Sequence, residues 1–238
     1  MKVDILAFGA HPDEVEISCG GTILKHIAKG YKVGIISLTR GEMSTRGTVQ
    51  IRDKESKKAL KLLGASFHDK LNMGDGFLEV TKANKISIAK KIRKYCPDIV
   101  IVNAAHDRHP DHGAASKLVI DACFIAGLMK VKTRDAGKNQ SRWRPRAVYH
   151  YMQFYFGEPD MIVNISKYMD RKMEVIKAYK SQFHDSKSKE ASTLIAKPGF
   201  LEFIKARNAE LGLRIGTAFG EGFKTDRQIG IDDLMSLE

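Results

Sequence analysis

The feature that most limits how this chain can fold is a repeated exchange between short, mostly apolar runs and longer segments with helical spacing. Val3 to Phe8, Lys32 to Thr39 and Asp98 to Asn103 are too short for typical helices, and they lack the in-out alternation of a strand with one wet face. Between them, Ile17 to Ala28, Val49 to Leu63 and Ala83 to Tyr95 carry apolar residues at helical intervals, and Gly64 closes the second of these. Ser66 to Leu71 reads as a weaker strand, and a further helix runs from about His112 to Ala126. Strands that are apolar on both faces must be covered on both, and strand-helix-strand units supply that cover. The expected fold is therefore α/β and Rossmann-like: a mainly parallel sheet with helices on both faces, in a single domain over residues 1–238. A length of 238 residues with 43% hydrophobic content is enough for one such core.

The second half is less regular. Lys130 to Arg146 is polar and basic, holds the only tryptophan, Trp143, and reads as an excursion loop. Strands are expected at Ala147 to Gln153 and Met161 to Ile165, and helices at Met169 to Lys180 and Leu201 to Leu211. No internal repeat or low-complexity linker marks a boundary.

The formal charge of +12 raises the question of a nucleic-acid partner. The lysines are spread along the chain, stretches such as Lys54-Glu55-Ser56-Lys57-Lys58 mix signs, and no aromatic-rich basic stripe accompanies them. Solvated helix faces and attraction of small anions are the reading, with no nucleic acid as partner. Cys19, Cys96 and Cys123 are too few and scattered for a disulfide framework, which suits a reducing cytoplasm. The N-terminal run is interrupted by Asp4 and ended by a glycine, so neither a signal peptide nor a membrane span is expected.

Two segments after apolar runs carry the chemistry. The first is Phe8-Gly9-Ala10-His11-Pro12-Asp13-Glu14-Val15-Glu16, and the second is His106-Asp107-Arg108-His109-Pro110-Asp111-His112. In an open parallel sheet, ligands bind beyond the carboxyl ends of the strands, where both segments fall. A hydrolytic zinc site needs about three His or carboxylate ligands and one open position. His11, one of Asp13 and Glu14, and His112 supply such a set, provided the first and fourth main strands are neighbours. The remaining carboxylate is then free to act as a base toward water. His109 can be a protonated imidazole that stabilises an oxyanion or protonates a leaving amine. Asp111 either orients His109 or caps the following helix. Two His and one carboxylate equally suit Fe(II).

With these residues in view, the sequence resembles the LmbE-like, PIG-L type zinc N-deacetylases. Their signature is A-H-P-D-D after the first strand and H-P-D-H after a later one, and Ala10 to Glu14 and His109 to His112 stand in those places. The resemblance is closest to the branch that deacetylates N-acetylglucosaminyl-malate in bacillithiol biosynthesis. It runs through Leu38 to Glu42, Arg46-Gly47-Thr48, Asp107 to Gly113, Tyr179 to Phe183 and Gly220-Glu221-Gly222-Phe223. It implies His11, Glu14 and His112 as zinc ligands, Asp13 as general base, His109 as transition-state stabiliser, Asp111 as its orienting partner, and Arg52 as a sugar-substrate contact. A guanidinium also suits the two carboxylates of a malyl group. The implied substrate is a small anionic acetamido sugar, and the implied assembly a homo-oligomer. One departure stands out: the family's usual second aspartate is Glu14 here. Rivals to this reading are deacetylation of another acetamido conjugate, and a basic nucleic-acid-binding or regulatory module with structural histidines.

Other features take quieter readings. Gly20-Gly21 lacks dinucleotide-site spacing, Cys19 is expected as a buried small residue, and Glu16 as scaffold. Tyr151, Phe154 and Tyr155 are expected to pack a strand. Arg142-Trp143-Arg144 borders either the site's mouth or a subunit contact.

Overall fold

In a computed structural model, which describes residues 1–155, 157–186 and 188–236, the apolar runs become the inner strands of a seven-stranded sheet. β1 (Ile5–Gly9), β2 (Val33–Ser37), β3 (Phe67–Lys70) and β4 (Ile99–Val102) run parallel. β5 (Arg134–Asp135) and β6 (Lys138–Asn139) form a separate small hairpin within the excursion loop. β7 (Ala147–Tyr151) continues the parallel sheet beside β4, while β8 (Met161–Asn164) and β9 (Gly220–Thr225) add antiparallel strands. The order is β3-β2-β1-β4-β7-β9-β8.

Among the described residues, six helices cover the sheet: α1 (Glu14–Ala28), α2 (Val49–Leu63), α3 (Lys82–Tyr95), α4 (Pro110–Ala126), α5 (Met169–Ile176) and α6 (Phe200–Leu213). Successive residues of β1 point to opposite faces, so Leu6 and Phe8 join Ile88, Ile92 and Leu118 in one core cluster. Ile5 and Ala7 join Ile23, Ala59 and Val175 in the other. The expected two-sided cover is thus present. Among the described residues, no helix is long and apolar enough to cross a membrane.

β9 is the strand that periodicity does not announce. Gly220-Glu221-Gly222-Phe223 is glycine-rich, yet it pairs along β8, β9 as a whole reaches β7 from Phe223 onward, and Glu221, fully buried, reaches into a break in α1. Cys19 is non-helical there (φ −137°, ψ 20°), and Glu221 accepts from Gly21 N (3.0 Å) and Thr22 N (2.6 Å). Its charge is balanced by buried Lys172 of α5, 2.7 Å away. The helix expected from Met169 to Lys180 stops at Ile176, and a separate 3-10 turn begins at Lys180.

α6 and the approach to β9 come very close at Gly212, where an added Cβ would stand 2.5 Å from Phe219 N and 2.6 Å from its Cα. Backbone cannot retreat as a side chain can. Gly212→Ala is therefore expected to cost about 1–3 kcal/mol in chemical denaturation; an unchanged midpoint would refute the close approach.

The excursion loop is pinned from below by Arg93, which donates to the carbonyls of Ala126, Leu128 and Val131 and to Thr133 Oγ1. Trp143 Nε1 donates to Pro97 O (2.7 Å), and Arg146 N to Asp98 O (2.9 Å). Pro97 and Asp98 precede β4, so this anchor lies at the amino edge of the sheet. Trp143 borders the opposite edge from the chemistry-bearing segments.

Candidate metal centre and active-site cleft

β1 and β4 are neighbours, paired Ile5 with Ile99 through Ala7 with Ile101. The chain moves outward from β1 to β2 and β3 on one side and resumes with β4 on the other, so the two carboxyl ends flank a topological switch point. The condition that the two segments needed is met. Their joint is a direct one: Ala10 N donates to Asn103 Oδ1 at 3.0 Å.

The two segments bring His11, Glu14 and His112 to hydrogen-bond distance. Glu14 Oε1 lies 2.9 Å from His11 Nδ1 and 2.5 Å from His112 Nε2. The other nitrogen of His112 faces Asp107 Oδ2 at 2.5 Å, and Asp107 Oδ1 is fixed by Phe154 N (3.0 Å) and Tyr155 N (2.9 Å). A carboxylate behind an imidazole is the usual outer support of a metal-ligating histidine. Among the described residues, donor atoms of His11, His109 and His112 lie within 4.8 Å of one another, as do those of His11, Asp75 and Asp111. Burial opposes charge on both imidazoles, yet Glu14 beside them overrides it: His112 is held at about 9, helped by Asp107, and His11 well above its ordinary value. Burial also opposes ionisation of Glu14, but the two imidazoles hold its carboxyl well below the usual range. A buried site that draws positive charge among imidazole and carboxylate donors fits a divalent ion such as zinc or Fe(II).

Asp13 precedes α1 and occupies its cap position, but its side chain caps nothing. Its φ of 97° is a left-handed value rare outside glycine, a strain of the kind that collects at functional sites. In place of helix amides, Oδ2 meets the Arg52 guanidinium at 2.9 Å, and the same Nη2 donates to Pro12 O at 2.5 Å. Burial raises the Asp13 carboxyl to about 6, with Arg52 restraining the rise. Arg52 is itself buried. Glu16 is scaffold as expected, though wholly buried: Tyr179 donates to it at 2.8 Å, and burial lifts its carboxyl to about 7.

The second segment departs from expectation in its details. His109 is the cap of α4, its Nδ1 accepting from Asp111 N at 3.2 Å. The Asp111 carboxylate does not lie on the His109 ring; it accepts from Gly76 N (2.7 Å) and Leu78 N (3.2 Å) and stands 3.1 Å from His11 Nε2. Proline at the first turn and the capping ring fix the Asp111 backbone so that its side chain points back across the sheet edge. Burial, followed by the charges of His11 and His112, lowers the basicity of His109, so its neutral form is favoured. With Nδ1 accepting, the proton of that form sits on Nε2.

Sequence reasoning passed over Asp75. It lies in the loop after β3, where Gly74 and Gly76 take positive φ, and Oδ1 stands 2.8 Å from His11 Nε2. Met43 N donates to its other oxygen and Glu42 Oε1 accepts from its amide. The only signal was Asp-Gly in a turn, which is ambiguous, because folding alone brings residue 75 to residue 11. Phe154 was also misread, since it lines the cleft with Arg108 5.5 Å above its ring; Tyr151 does pack, its hydroxyl on Phe8 O. Cys19 is buried and free.

All of His11, Asp13, Glu14, Arg52, His109 and His112 line one cleft of about 370 Å³. Its lining also includes the polar Asp75, Asp107 and Arg108 and the apolar Leu194, Ile195, Phe200 and Phe203.

Fold and site together define an α/β protein with an imidazole-carboxylate centre at the carboxyl edge of its sheet. Residues 6–123 match the PIG-L family model, described as GlcNAc-PI de-N-acetylase. Diacetylchitobiose deacetylase of Thermococcus kodakarensis is 31% identical over 191 residues, 75% of this chain and 70% of that protein. The probable N-acetyl-alpha-D-glucosaminyl L-malate deacetylase 2 of Bacillus cereus is 27% identical over 215 residues, 82% and 94% of the two chains. The crystal structure of a conserved protein from Thermus thermophilus superposes with a TM-score of 0.87 at 31% identity, covering 98% of each chain. The chain belongs to the PIG-L/LmbE family of deacetylases.

Proposed function

We propose that this protein is a metal-dependent hydrolase that removes the N-acetyl group from a 2-acetamido sugar, giving acetate and a free amine. The observation that carries the reading is the separation of two carboxylates: Glu14 faces the two imidazoles, while Asp13, one residue earlier, is turned to Arg52 and kept off the helix end. One carboxylate thereby serves the ion and the other stays free as a base.

His11, Glu14 and His112 would hold the ion, with Asp107 orienting His112. When bound, a divalent ion polarises the acetamide carbonyl and lowers the pKa of water toward about 7. Asp13 takes the proton of the attacking water; Arg52 fixes the direction of its carboxylate, and burial lifts its basicity toward neutrality. His109 presents an Nε2 proton to the developing oxyanion, its tautomer set by the helix cap. The proton that Asp13 accepts is the one the departing amine needs. Asp111 acts through His11 and the loop around Gly76, not through His109.

For the aglycone, the finer reading is malate, supported by Arg108 in the cleft lining, where Arg52 and Arg207 add positive charge while bonded to Asp13 and to the Gln153 carbonyl, and by the Bacillus cereus relative. A second acetamido conjugate is favoured by the apolar lining residues Leu194, Ile195, Phe200 and Phe203, and by the greater identity to the Thermococcus enzyme. Acetate release from N-acetylglucosamine, its malyl glycoside and diacetylchitobiose decides between them. Activity confined to the malyl glycoside supports the first reading, and preference for the disaccharide supports the second. No acetate from any of them by metal-loaded protein would overturn the function.

Metal removal has its own expected result. Protein purified without added metal should carry about one transition-metal ion per chain by elemental analysis. Chelation should abolish acetate release, and zinc or Fe(II) should restore it. Full activity in metal-free protein would exclude the assignment.

A further inference from the structure

Glu14 is one methylene longer than the aspartate of the family signature, and the fold has to absorb that length. Its two oxygens are used differently. Oε1 faces His11 Nδ1 and His112 Nε2, whereas Oε2 is held from the other side by His11 N (3.0 Å) and Asn103 Nδ2 (2.9 Å). Asn103 is fully buried at the end of β4, and each of its polar side-chain atoms is committed. Oδ1 accepts from Ala10 N (3.0 Å), and Nδ2 also donates to Gln153 Oε1 (3.1 Å). That same Gln153 oxygen accepts from Ala104 N (3.1 Å), while the Gln153 carbonyl accepts from the Arg207 guanidinium. The partners fix the amide's orientation: one side meets a backbone donor and the other meets two acceptors, so a flipped amide would lose all three bonds.

We propose that Asn103, held by Gln153, is a positioning residue that ties down the distal oxygen of Glu14 and leaves Oε1 as the single ligand oxygen. The inference rests on the reading that the ion sits among His11, Glu14 and His112. Without the tie, Oε2 keeps only the His11 amide, and the longer side chain gains room to swing away from the imidazoles or to turn both oxygens toward the ion. With it, the glutamate presents Oε1 at a fixed place beside the two imidazoles. Asn103 therefore matters to metal binding because residue 14 is glutamate.

The test is a double-mutant cycle read by zinc affinity, measured by competition with a chromophoric chelator on the full chain, with thermal melting to verify folding. Asn103→Ala is expected to weaken zinc binding roughly 10- to 100-fold, the usual cost of losing an outer-shell partner. In a Glu14→Asp background, whose carboxylate falls short of the Asn103 amide, the same change should alter affinity by no more than about twofold. Gln153→Met, which leaves Asn103 present but removes one of the three bonds on its amide, should give a smaller loss in the Glu14 protein and serves if Asn103→Ala does not fold. Equal losses in both backgrounds, or none in the Glu14 protein, would overturn the proposal. Glu14→Gln separates its failure from that of the ligand reading: unchanged zinc affinity in that variant would mean that Glu14 is no ligand, and both readings would fall.

Discussion

Asp13→Asn is expected to lower kcat for acetate release by roughly 10²- to 10⁴-fold, the usual contribution of a general base, while metal content per chain stays unchanged. Asparagine is the informative replacement for two structural reasons. Residue 13 sits at φ 97°, which asparagine tolerates far better than alanine does, so the turn into α1 is preserved. The amide oxygen can also keep the bond from Arg52, now 2.9 Å to Oδ2, so the guanidinium is not left without a partner. Only the ability to accept a proton is removed. Activity near that of the wild type in a metal-loaded Asp13→Asn protein would reject Asp13 as base; loss of metal together with activity would place Asp13 among the ligands.

The largest stability effect is expected at the buried pair beneath α1. Lys172 and Glu221 are both fully buried, with Nζ 2.7 Å from Oε1, and Lys172 also donates to Asn208 Oδ1 at 2.9 Å. Lys172→Met leaves a buried carboxylate without its counter-charge, which costs about 3–5 kcal/mol. At about 2–4 °C per kcal/mol for a chain of this size, the melting temperature should fall by roughly 6–20 °C. Adding Glu221→Gln should recover most of the loss, since the amide oxygen still accepts from one of the Gly21 and Thr22 amides. Thermal melts of the single and double variants test this. If the two substitutions simply add, the pair is not coupled, and Glu221 serves α1 only as a cap.

That pair also gives a place to a part of the resemblance that lies outside the two chemistry-bearing segments. Gly220 to Phe223 forms the strand that carries Glu221 to the break in α1. Arg46 donates to Ser181 O, Gln182 Nε2 donates to Arg46 O, and a Cβ on Gly47 would collide with Ser181 at 2.8 Å. The Arg46-Gly47-Thr48 and Tyr179 to Phe183 segments are thus two sides of one joint. Glu42 fixes the amide of Asp75. Residues that read as a signature are thus joined to one another and to the loop that carries Asp75.

What the sequence determined by itself follows from periodicity and from chemistry that is local. Strands apolar on both faces require a covered parallel sheet whatever the loops do, and residues after such strands must meet at its carboxyl edge. Hence β1, β2, β4, α2 and the pairing of the His11 and His112 segments were all legible. Tertiary structure decided what depends on contacts between distant residues. β9 is glycine-rich yet forms a strand that carries buried Glu221 to the Gly21 and Thr22 amides; Asp75 reaches His11 from a loop two strands away; and Asp111 turns to His11, not His109. The sequence could say that Glu14 replaces an aspartate, but only the fold shows the amide of Asn103 waiting for its second oxygen, because a hydrogen bond between residues 14 and 103 leaves no trace in the spacing of either.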